Sequence, residues 1–261
     1  MFKKSLAIPY ALFMVLFVLL PLALVLVYAF IDVNDGSFDM LANFKELAKE
    51  RALGKVIGNS LIAGLSTTAL CLLIGYPIAY YLTKPEFNKK GVMIGLFLAP
   101  MWVNFLLRMM ATKAVFNVIG FKMGMGAVIF GLTYEFLPFM IMPLYNTLLK
   151  IDKSFIEGAS DLGATPIRAF WTVTVPLSMP GIVSGMTMVL IPSITTFAVT
   201  EIMSNGKMML LGDFIYSLKA DSLSMAAAIS FVLLIFMGLS MFISNKYSAD
   251  GDGASKGGGL W

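Results

Sequence analysis

The sequence contains no histidine and only 1 cysteine. Without histidine, a Ser-His-Asp or Cys-His catalytic unit lacks its general base, and zinc sites built from Cys and His ligands are excluded. A single cysteine cannot form a disulfide within the chain. The G-x-x-x-x-G-K-[ST] motif that binds nucleotide phosphates is also missing. Any energy for transport against a gradient must therefore come from another chain.

Charged residues are scarce as well. Asp, Glu, Lys and Arg make up 13% of the 261 residues, whereas 59% are hydrophobic. Soluble domains usually carry roughly a quarter charged residues and less than half apolar ones. Together with a mean hydropathy of +0.86, this composition predicts an all-α protein that crosses the lipid bilayer several times.

Six segments are long and apolar enough to cross the hydrocarbon core, which takes about 20 residues of helix. We expect one transmembrane domain over residues 1–249 and a flexible C-terminal tail over 250–261. The first segment could instead be a cleaved signal peptide, but its apolar run is longer than the roughly 7–15 residues usual in that role. The six predicted spans cover approximately residues 7–30, 57–82, 91–110, 127–149, 180–201 and 224–244.

Positive charges give a slight indication of orientation. Lys and Arg are almost evenly divided between the two sides of the predicted membrane domain. However, Lys3, Lys4, Lys89 and Lys90 directly flank spans in short segments, where positive charge favours the cytoplasmic side. We therefore expect both termini in the cytoplasm.

Proline occurs in almost every predicted span, and each proline removes a hydrogen bond and bends its helix. Broken helices in lipid are tolerated where neighbours or a water-filled cavity satisfy the freed carbonyls, which favours a bundle around a path. Ordinary proline frequency in membrane helices is the alternative explanation. The prolines are Pro9, Pro21, Pro77, Pro100, Pro138, Pro143 and Pro192.

Residues 153–176, between the fourth and fifth spans, predict two short helices joined by a tight turn, which we call the elbow. In the first helix, Ser154 as N-cap and Glu157 three residues later fit a capping box. A purely structural capping role is one explanation for Glu157. Apolar positions recur at helical spacing on this helix, at Phe155, Ala159 and Leu162.

The second helix of the elbow has clear start signals. Gly163 suits the left-handed residue just past the end of the first helix. Thr165 suits the N-cap and Pro166 the first helical position of the second helix, and we expect Pro176 to end it. One face of this helix carries Ile167, Phe170, Trp171 and Thr174.

The elbow resembles the EAA motif of ABC-importer permease subunits. The pattern E-x-A-x-D-L-G-A is followed by F-x-x-V-x-V-P-L-x-x-P-G-I, with Gly158 standing where the family usually has its first alanine. The resemblance implies a type I importer fold with six spans, in which the elbow docks into a cytoplasmic ATPase subunit. The implied coupling residues are Glu157, Ala159, Asp161, Leu162, Gly163 and Ala164.

A wider resemblance covers most of the chain from the second span to the sixth. The stretches that carry it look like the B-type permease of spermidine/putrescine importers. They are LCLLIGYPIAYYLTK (70–84), MWVNFLLRMMATK (101–113), GLTYEFLPFMIMPLYNTLLKIDKSFIEGASDLGA (131–164) and VTEIMSNGKMMLLGDFI (199–215).

The resemblance implies a non-catalytic permease in the inner membrane of a bacterium. Its implied partners are a cytoplasmic ATPase subunit, expected in two copies, a second similar permease and an extracytoplasmic substrate-binding protein. ATP and Mg²⁺ would bind the ATPase, so no cofactor is expected in this chain. No nucleic-acid partner is expected either.

A polyamine carries several ammonium groups, so its path should offer spaced carboxylates and aromatic faces. Ionisable groups at membrane depth cost roughly 2.5–3.5 kcal/mol and need a partner or a cavity. We expect Glu135 and Glu201 to contact the passing cation, and Trp102 and Tyr134 to supply aromatic contacts. Ser193, Thr196 and Thr200 predict a polar stripe on one helix face that leads to Glu201.

Each of these path residues has an alternative role. Serine and threonine in spans commonly bond neighbouring helices, Trp102 could be an interfacial aromatic, and Glu135 could pair with a cation of a partner subunit. Arg108 is expected to extend towards the membrane interface, and Asp213 to lie at the membrane surface. Gly181-x-x-x-Gly185 permits close helix packing.

Other functions are also compatible with the sequence. The shared coupling motif also fits importers of sulfate, phosphonate or ferric iron, and Arg108 would suit an anion. An ion-coupled secondary transporter predicts an inverted repeat, which is not evident in the sequence. An intramembrane enzyme would need a nucleophile with a base, and no such set is evident.

Overall fold

The structure is a computed structural model that describes residues 7–31, 42–84, 86 and 92–256. Every regular element in these ranges is helical. The flanking lysines used to predict orientation (Lys3, Lys4, Lys89 and Lys90) lie outside the described residues, as do residues 257–261 of the expected tail. The α-helices are α1 Ala7–Met14, α2 Leu20–Phe30, α3 Ala42–Lys49, α4 Arg51–Leu82, α5 Val92–Leu98, α6 Phe105–Ile119, α7 Met125–Leu149, α8 Lys153–Asp161, α9 Pro166–Ala169, α10 Val175–Leu177, α11 Met179–Thr195, α12 Val199–Ser204, α13 Leu211–Asp221 and α14 Leu223–Lys256.

Four continuous stretches are long and apolar enough to cross a membrane: Leu12–Phe30, Arg51–Leu82, Met125–Leu149 and Leu223–Phe242. They correspond to the first, second, fourth and sixth predicted spans. Two further helix pairs pass the same test but are sharply bent. Counting each bent pair as one span gives the six spans that the sequence predicts.

The third predicted span is not a straight helix over 91–110. α5 continues as a short 3₁₀ segment, Ala99–Trp102, and then meets α6 at an angle of 91°. Pro100 cannot donate a backbone hydrogen bond, and the side chain of Asn104 accepts one from the Leu106 amide at 2.9 Å, which starts a new helix. Arg108 therefore lies on α6, beyond the bend.

The fifth predicted span also ends early. α11 stops at Thr195, Ala198 has a left-handed backbone with φ of 70°, and α12 begins at Val199. The predicted polar stripe is therefore wrong, because Ser193 lies on α11 whereas Thr200 lies on α12. The Ser193 hydroxyl donates to the carbonyl of Val189 within its own helix at 2.7 Å.

The central core is formed where α4, α7 and α11 pack together. Gly181 permits a close approach of α11 to α7, since a Cβ atom there would lie 2.6 Å from Thr147 Oγ1 and 2.9 Å from the Pro143 carbonyl oxygen. Gly185 faces Met140 in the same way, so the close packing expected from the Gly181-x-x-x-Gly185 pattern is confirmed. The buried side chains of this core are Cys71, Tyr76, Ala79, Leu82, Met140, Ile141, Leu144, Leu148, Ile182 and Val189.

Two prolines follow turns of π-helix. Val15–Leu19 precedes Pro21, and Phe170–Thr174 precedes Pro176. A wider π turn accommodates a residue that lacks a backbone N–H. The elbow helix consequently continues past Pro176 to Leu177, and the prediction that Pro176 ends it is wrong.

The last helix, α14, extends to Lys256. The tail expected from residue 250 is thus helical over its first seven described residues, 250–256.

Candidate functional site

The first helix of the elbow is α8, and its N-cap is Asp152 rather than Ser154. The Asp152 carboxylate accepts a hydrogen bond from the Ser154 amide at 3.0 Å, which lowers the pKa of Asp152. Both residues are good capping types, and only three residues separate α7 from α8. With Asp152 as N-cap, Glu157 is no longer the third helical residue, so the capping box predicted for Ser154 and Glu157 does not form. Glu157 is exposed.

The turn of the elbow agrees with the sequence prediction. Gly163 has φ of 82°, and its amide donates to the carbonyl of Ser160 at 2.9 Å. Only glycine adopts this left-handed backbone without a steric cost. Thr165 caps the second helix, accepting a bond from the Arg168 amide at 3.4 Å, and Pro166 is its first residue.

The outer side of the elbow exposes large apolar side chains. Leu162 is 92% exposed and Trp171 is 64% exposed. Backbone hydrogen bonds hold the turn between them in place. Exposed apolar surface of this kind is typical of a site that binds another protein. The four large apolar side chains of this surface, which we call the outer elbow surface, are Phe155, Leu162, Ile167 and Trp171.

The inner side of the elbow is anchored to the helix bundle. The ring of Phe170 packs edge-on against Tyr76 and Tyr80 of α4, with centroids 5.6 Å away in both cases. Tyr76 donates to Ser178 Oγ at 2.8 Å, because Ser178 Oγ itself donates to the Val175 carbonyl at 2.9 Å. The predicted common face of the second helix is therefore split: Phe170 and Thr174 point inwards, whereas Ile167 and Trp171 point outwards.

This arrangement can transmit movement. The elbow is continuous with α11 through a 65° bend. Its inner side contacts the C-terminal part of α4 at Tyr76 and Tyr80. A force on the outer elbow surface would therefore act on two core helices at once. The six predicted coupling residues are all on α8 or in the turn, where Glu157, Asp161, Leu162 and Gly163 are exposed, and Ala159 and Ala164 are half-buried.

The predicted path residues Tyr134 and Glu135 meet a residue that the sequence did not connect with them. Nη2 of Arg108 lies 2.6 Å from Oε1 and 2.5 Å from Oε2 of Glu135. The guanidinium also lies over the Tyr134 ring, 5.6 Å from its centroid. Arg108 is buried within the chain, so it does not extend to the membrane interface as expected, and Glu135 pairs with this arginine inside the same chain.

The Asp213 carboxylate connects the segments that precede and follow α12. The Asp213 carboxylate accepts hydrogen bonds from the Ala198 amide at 3.2 Å, from the Leu210 amide at 2.9 Å and from the Thr200 hydroxyl. Asp213 is thus a structural acceptor, and not simply a surface residue. Its place in the first turn of a helix, where acidic residues are favoured, is the signal that could have indicated this role.

Glu201 lies in the first turn of α12 and is exposed. Among the residues that the structure describes, it makes no ion pair. α12 packs against α7 through Met203, whose Cε would lie 3.3 Å from a Cβ placed on Gly131, one turn before Glu135. The helices that carry the two predicted carboxylates are therefore in contact.

The other two predicted path residues differ in accessibility. Trp102 is 85% exposed at the end of the 3₁₀ segment, before the bend that leads to α6. Thr200 is buried, and its hydroxyl donates a hydrogen bond to the Asp213 carboxylate. Over the described part of the chain, no group of three or more Cys, Asp or Glu side chains is arranged to hold a metal ion.

Known protein families and sequences match this chain over most of its length. Residues 90–249 match the family described as the binding-protein-dependent transport system inner membrane component. The spermidine/putrescine transport system permease protein PotB of Escherichia coli K12 is 33% identical, and the match covers 88% of this chain and 92% of that protein. A PotB homolog of Mycoplasma pneumoniae is 28% identical, over 83% of this chain and 79% of its own length.

Solved transporter structures have the same fold. A chain of the inward-facing MetNI methionine ABC transporter superposes with a TM-score of 0.61 at 22% identity, covering 78% of this chain and 98% of that one. A chain of a bacterial ABC transporter that imports the acidic polysaccharide alginate gives 0.61 at 17% identity, with 95% of each chain covered. The prediction of a multi-span, all-α permease fold is confirmed.

Proposed function

This chain belongs to the family of binding-protein-dependent transport system inner membrane components, and we propose that it is the permease subunit of a bacterial ATP-driven importer of spermidine and putrescine. The likeness to PotB over 88% of the chain carries the substrate assignment. Because the relatives are named for polyamine transport, the alternatives of sulfate, phosphonate or iron import and of secondary transport are not favoured.

The energy for transport would come from a partner. The chain lacks a nucleotide-binding motif, and the outer elbow surface offers a docking site for a cytoplasmic ATPase, expected in two copies. ATP and Mg²⁺ would bind that ATPase, and this chain would act without a catalytic group of its own. A second, similar permease would complete the path, and an extracytoplasmic binding protein would deliver the polyamine.

Docking of the ATPase requires the elbow to lie on the cytoplasmic side, which also places both termini there. This orientation can be tested with a cysteine introduced at position 162. The native Cys71 is buried, so Leu162→Cys would supply an accessible thiol. When the ATPase is not expressed, a membrane-impermeant maleimide should label this variant in inside-out vesicles and not in intact spheroplasts. Labelling in spheroplasts would place the elbow outside and contradict the proposal.

Within the path, we assign the main contact with the substrate cation to Glu201. Its carboxylate is exposed and makes no ion pair with another described residue, whereas Glu135 is paired with Arg108. Trp102 and Tyr134, which are exposed aromatic side chains, would contact the ammonium groups through their ring faces. The buried hydroxyl of Thr200 would affect the substrate only indirectly, because its hydrogen bond to Asp213 holds the start of α12 in place.

Glu201→Gln should reduce spermidine uptake about tenfold at limiting substrate, because a hydrogen bond to a charged group contributes about 1.5–3 kcal/mol. Glu46→Gln, which removes another exposed carboxylate on α3, is the matched control and should leave uptake unchanged. Equal uptake by wild type and Glu201→Gln at limiting spermidine would remove Glu201 from the path.

The proposed function is tested by complementation. A bacterium without its own polyamine importers should take up labelled spermidine only when this chain is expressed with its second permease, ATPase and binding protein. Excess unlabelled putrescine should compete with the label, while sulfate and ferric iron should not. Uptake that sulfate or iron abolishes, or a complete system that takes up no polyamine, would refute the substrate assignment.

A further inference from the structure

The most unusual polar group in the described bundle is the Arg108–Glu135 pair. The two side chains are 6% and 13% exposed, and they come from α6 and α7, inside the apolar part of the chain. Ionisable residues at this depth are rare and usually functional. A buried pair also gives little net stability, because desolvation of both charges offsets their attraction.

The pairing is incomplete. A guanidinium usually holds a carboxylate with two nitrogens, as a bidentate fork. Here Nη2 alone contacts both oxygens of Glu135. Among the described residues, Nε and Nη1 of Arg108 are buried and have no hydrogen-bond partner. Such a contact can be exchanged for another cation at a lower cost than a fully bonded fork.

Besides the Glu135 carboxylate, Arg108 also covers an aromatic ring, which is a second kind of group that binds cations. Its guanidinium lies over the ring of Tyr134, which is 38% exposed and therefore reachable from outside the chain. A carboxylate beside an aromatic face is the combination that binds ammonium ions in proteins. One internal cation thus fills a site whose two components fit a primary or secondary ammonium group.

We propose that Arg108 is an internal cation that occupies a polyamine subsite formed by Tyr134 and Glu135, and that an arriving ammonium group must displace it. This inference rests on the proposed function for its ligand class, and it makes Arg108 a specificity-determining residue. A substrate with one charge would gain little by replacing Arg108. A polyamine held at Glu201 by one ammonium presents the next at high effective concentration, so multiply charged amines are selected.

The test is equilibrium binding of radiolabelled spermidine to the assembled transporter in lipid nanodiscs, without ATP and without the binding protein. In Arg108→Gln the competing cation is removed, so the dissociation constant should fall about tenfold or more relative to wild type. Adding Glu135→Gln to Arg108→Gln should abolish this gain. Arg108→Lys keeps a charge but loses the planar group. The affinity of this variant for spermidine should therefore be about threefold higher than that of wild type.

Arg108→Lys decides the outcome if Arg108→Gln does not assemble. The inference is overturned if neither Arg108 variant binds spermidine more tightly than wild type, or if the gain persists after Glu135→Gln. If the Arg108 variants bind spermidine more tightly only because the bundle is loosened, their melting temperature should fall and the tighter binding should not depend on Glu135. This result would also overturn the inference.

Uptake by the wild-type transporter separates this inference from the proposed function. Wild-type spermidine uptake without any gain in the Arg108 variants refutes the internal cation and leaves the proposed function intact. A Glu135-dependent gain in a transporter that takes up no polyamine supports the internal cation and refutes the proposed substrate.

Discussion

Leu162→Asp should stop ATP-driven uptake while the permease still reaches the membrane in normal amounts. The Leu162 side chain is 92% exposed, so its replacement removes no contact that stabilises this chain. Docking would bury it against the ATPase, where loss of an anchor costs about 2 kcal/mol or more and an unpaired carboxylate adds a further penalty. We therefore expect spermidine uptake to fall by about a hundredfold or more.

The measurements are uptake in cells, the amount of permease in the membrane and the amount of ATPase that copurifies with it. Ser154→Asp is the matched control, because it adds the same charge at an exposed position of the same elbow, in the first turn of α8, where acidic residues are favoured. The control should transport normally. Normal uptake and ATPase copurification in Leu162→Asp would show that the outer elbow surface does not couple the two subunits.

Gly212→Ala should destabilise the helix bundle strongly. A Cβ at position 212 would clash with the carbonyl oxygens of Thr195 and Thr196, which are backbone atoms at the end of α11. Backbone cannot move aside as a flexible side chain can, so the cost should be about 3 kcal/mol, at the upper end for overpacking. We expect the melting temperature in detergent to fall by about 6–12 °C.

Gly158→Ala is the matched control for this effect. Position 158 lies within α8, and a Cβ there meets nothing within 4 Å. Alanine is favoured over glycine in a helix by about 0.5–1 kcal/mol, so this variant should be equally stable or slightly more so. If the Gly212→Ala protein has the same melting temperature as the Gly158→Ala protein, the close contact between α13 and the end of α11 is contradicted.

The sequence was sufficient where local chemistry decides structure. Gly163 and Thr165-Pro166 predicted the turn of the elbow because a left-handed residue and an N-cap depend on neighbouring residues alone. Long apolar stretches likewise identified α4 and α7, since length and hydropathy suffice for a membrane helix. The family motif in the elbow then led to the fold that the solved transporters confirm.

The two breaks in the third and fifth spans could not be predicted in the same way. Apolar residues outweigh the polar ones around each break, so the mean hydropathy stays positive across the bend. The break before α12 is fixed by Asp213, which lies 15 residues beyond Ala198 in the sequence and bonds its amide. Such a contact depends on the folded arrangement, and a sliding window does not detect it.

The Arg108–Glu135 pair was missed for a related reason. The two residues are 27 positions apart, on different helices, and they meet only because α6 turns by 91° from α5. Two opposite charges in consecutive apolar segments were the available signal. In the elbow, Asp152 and Ser154 are both suitable caps, and the short connection from α7 decides between them.

This chain should move its substrate only when a partner ATPase drives the elbow. The most direct test of this requirement is spermidine uptake into proteoliposomes that contain the purified permease pair, with the binding protein and spermidine on one side and ATP on the other. We predict uptake when the ATPase is present with ATP and Mg²⁺, and none when the ATPase is omitted or ATP is replaced by a non-hydrolysable analogue. Concentrative uptake by the permeases alone would contradict the account.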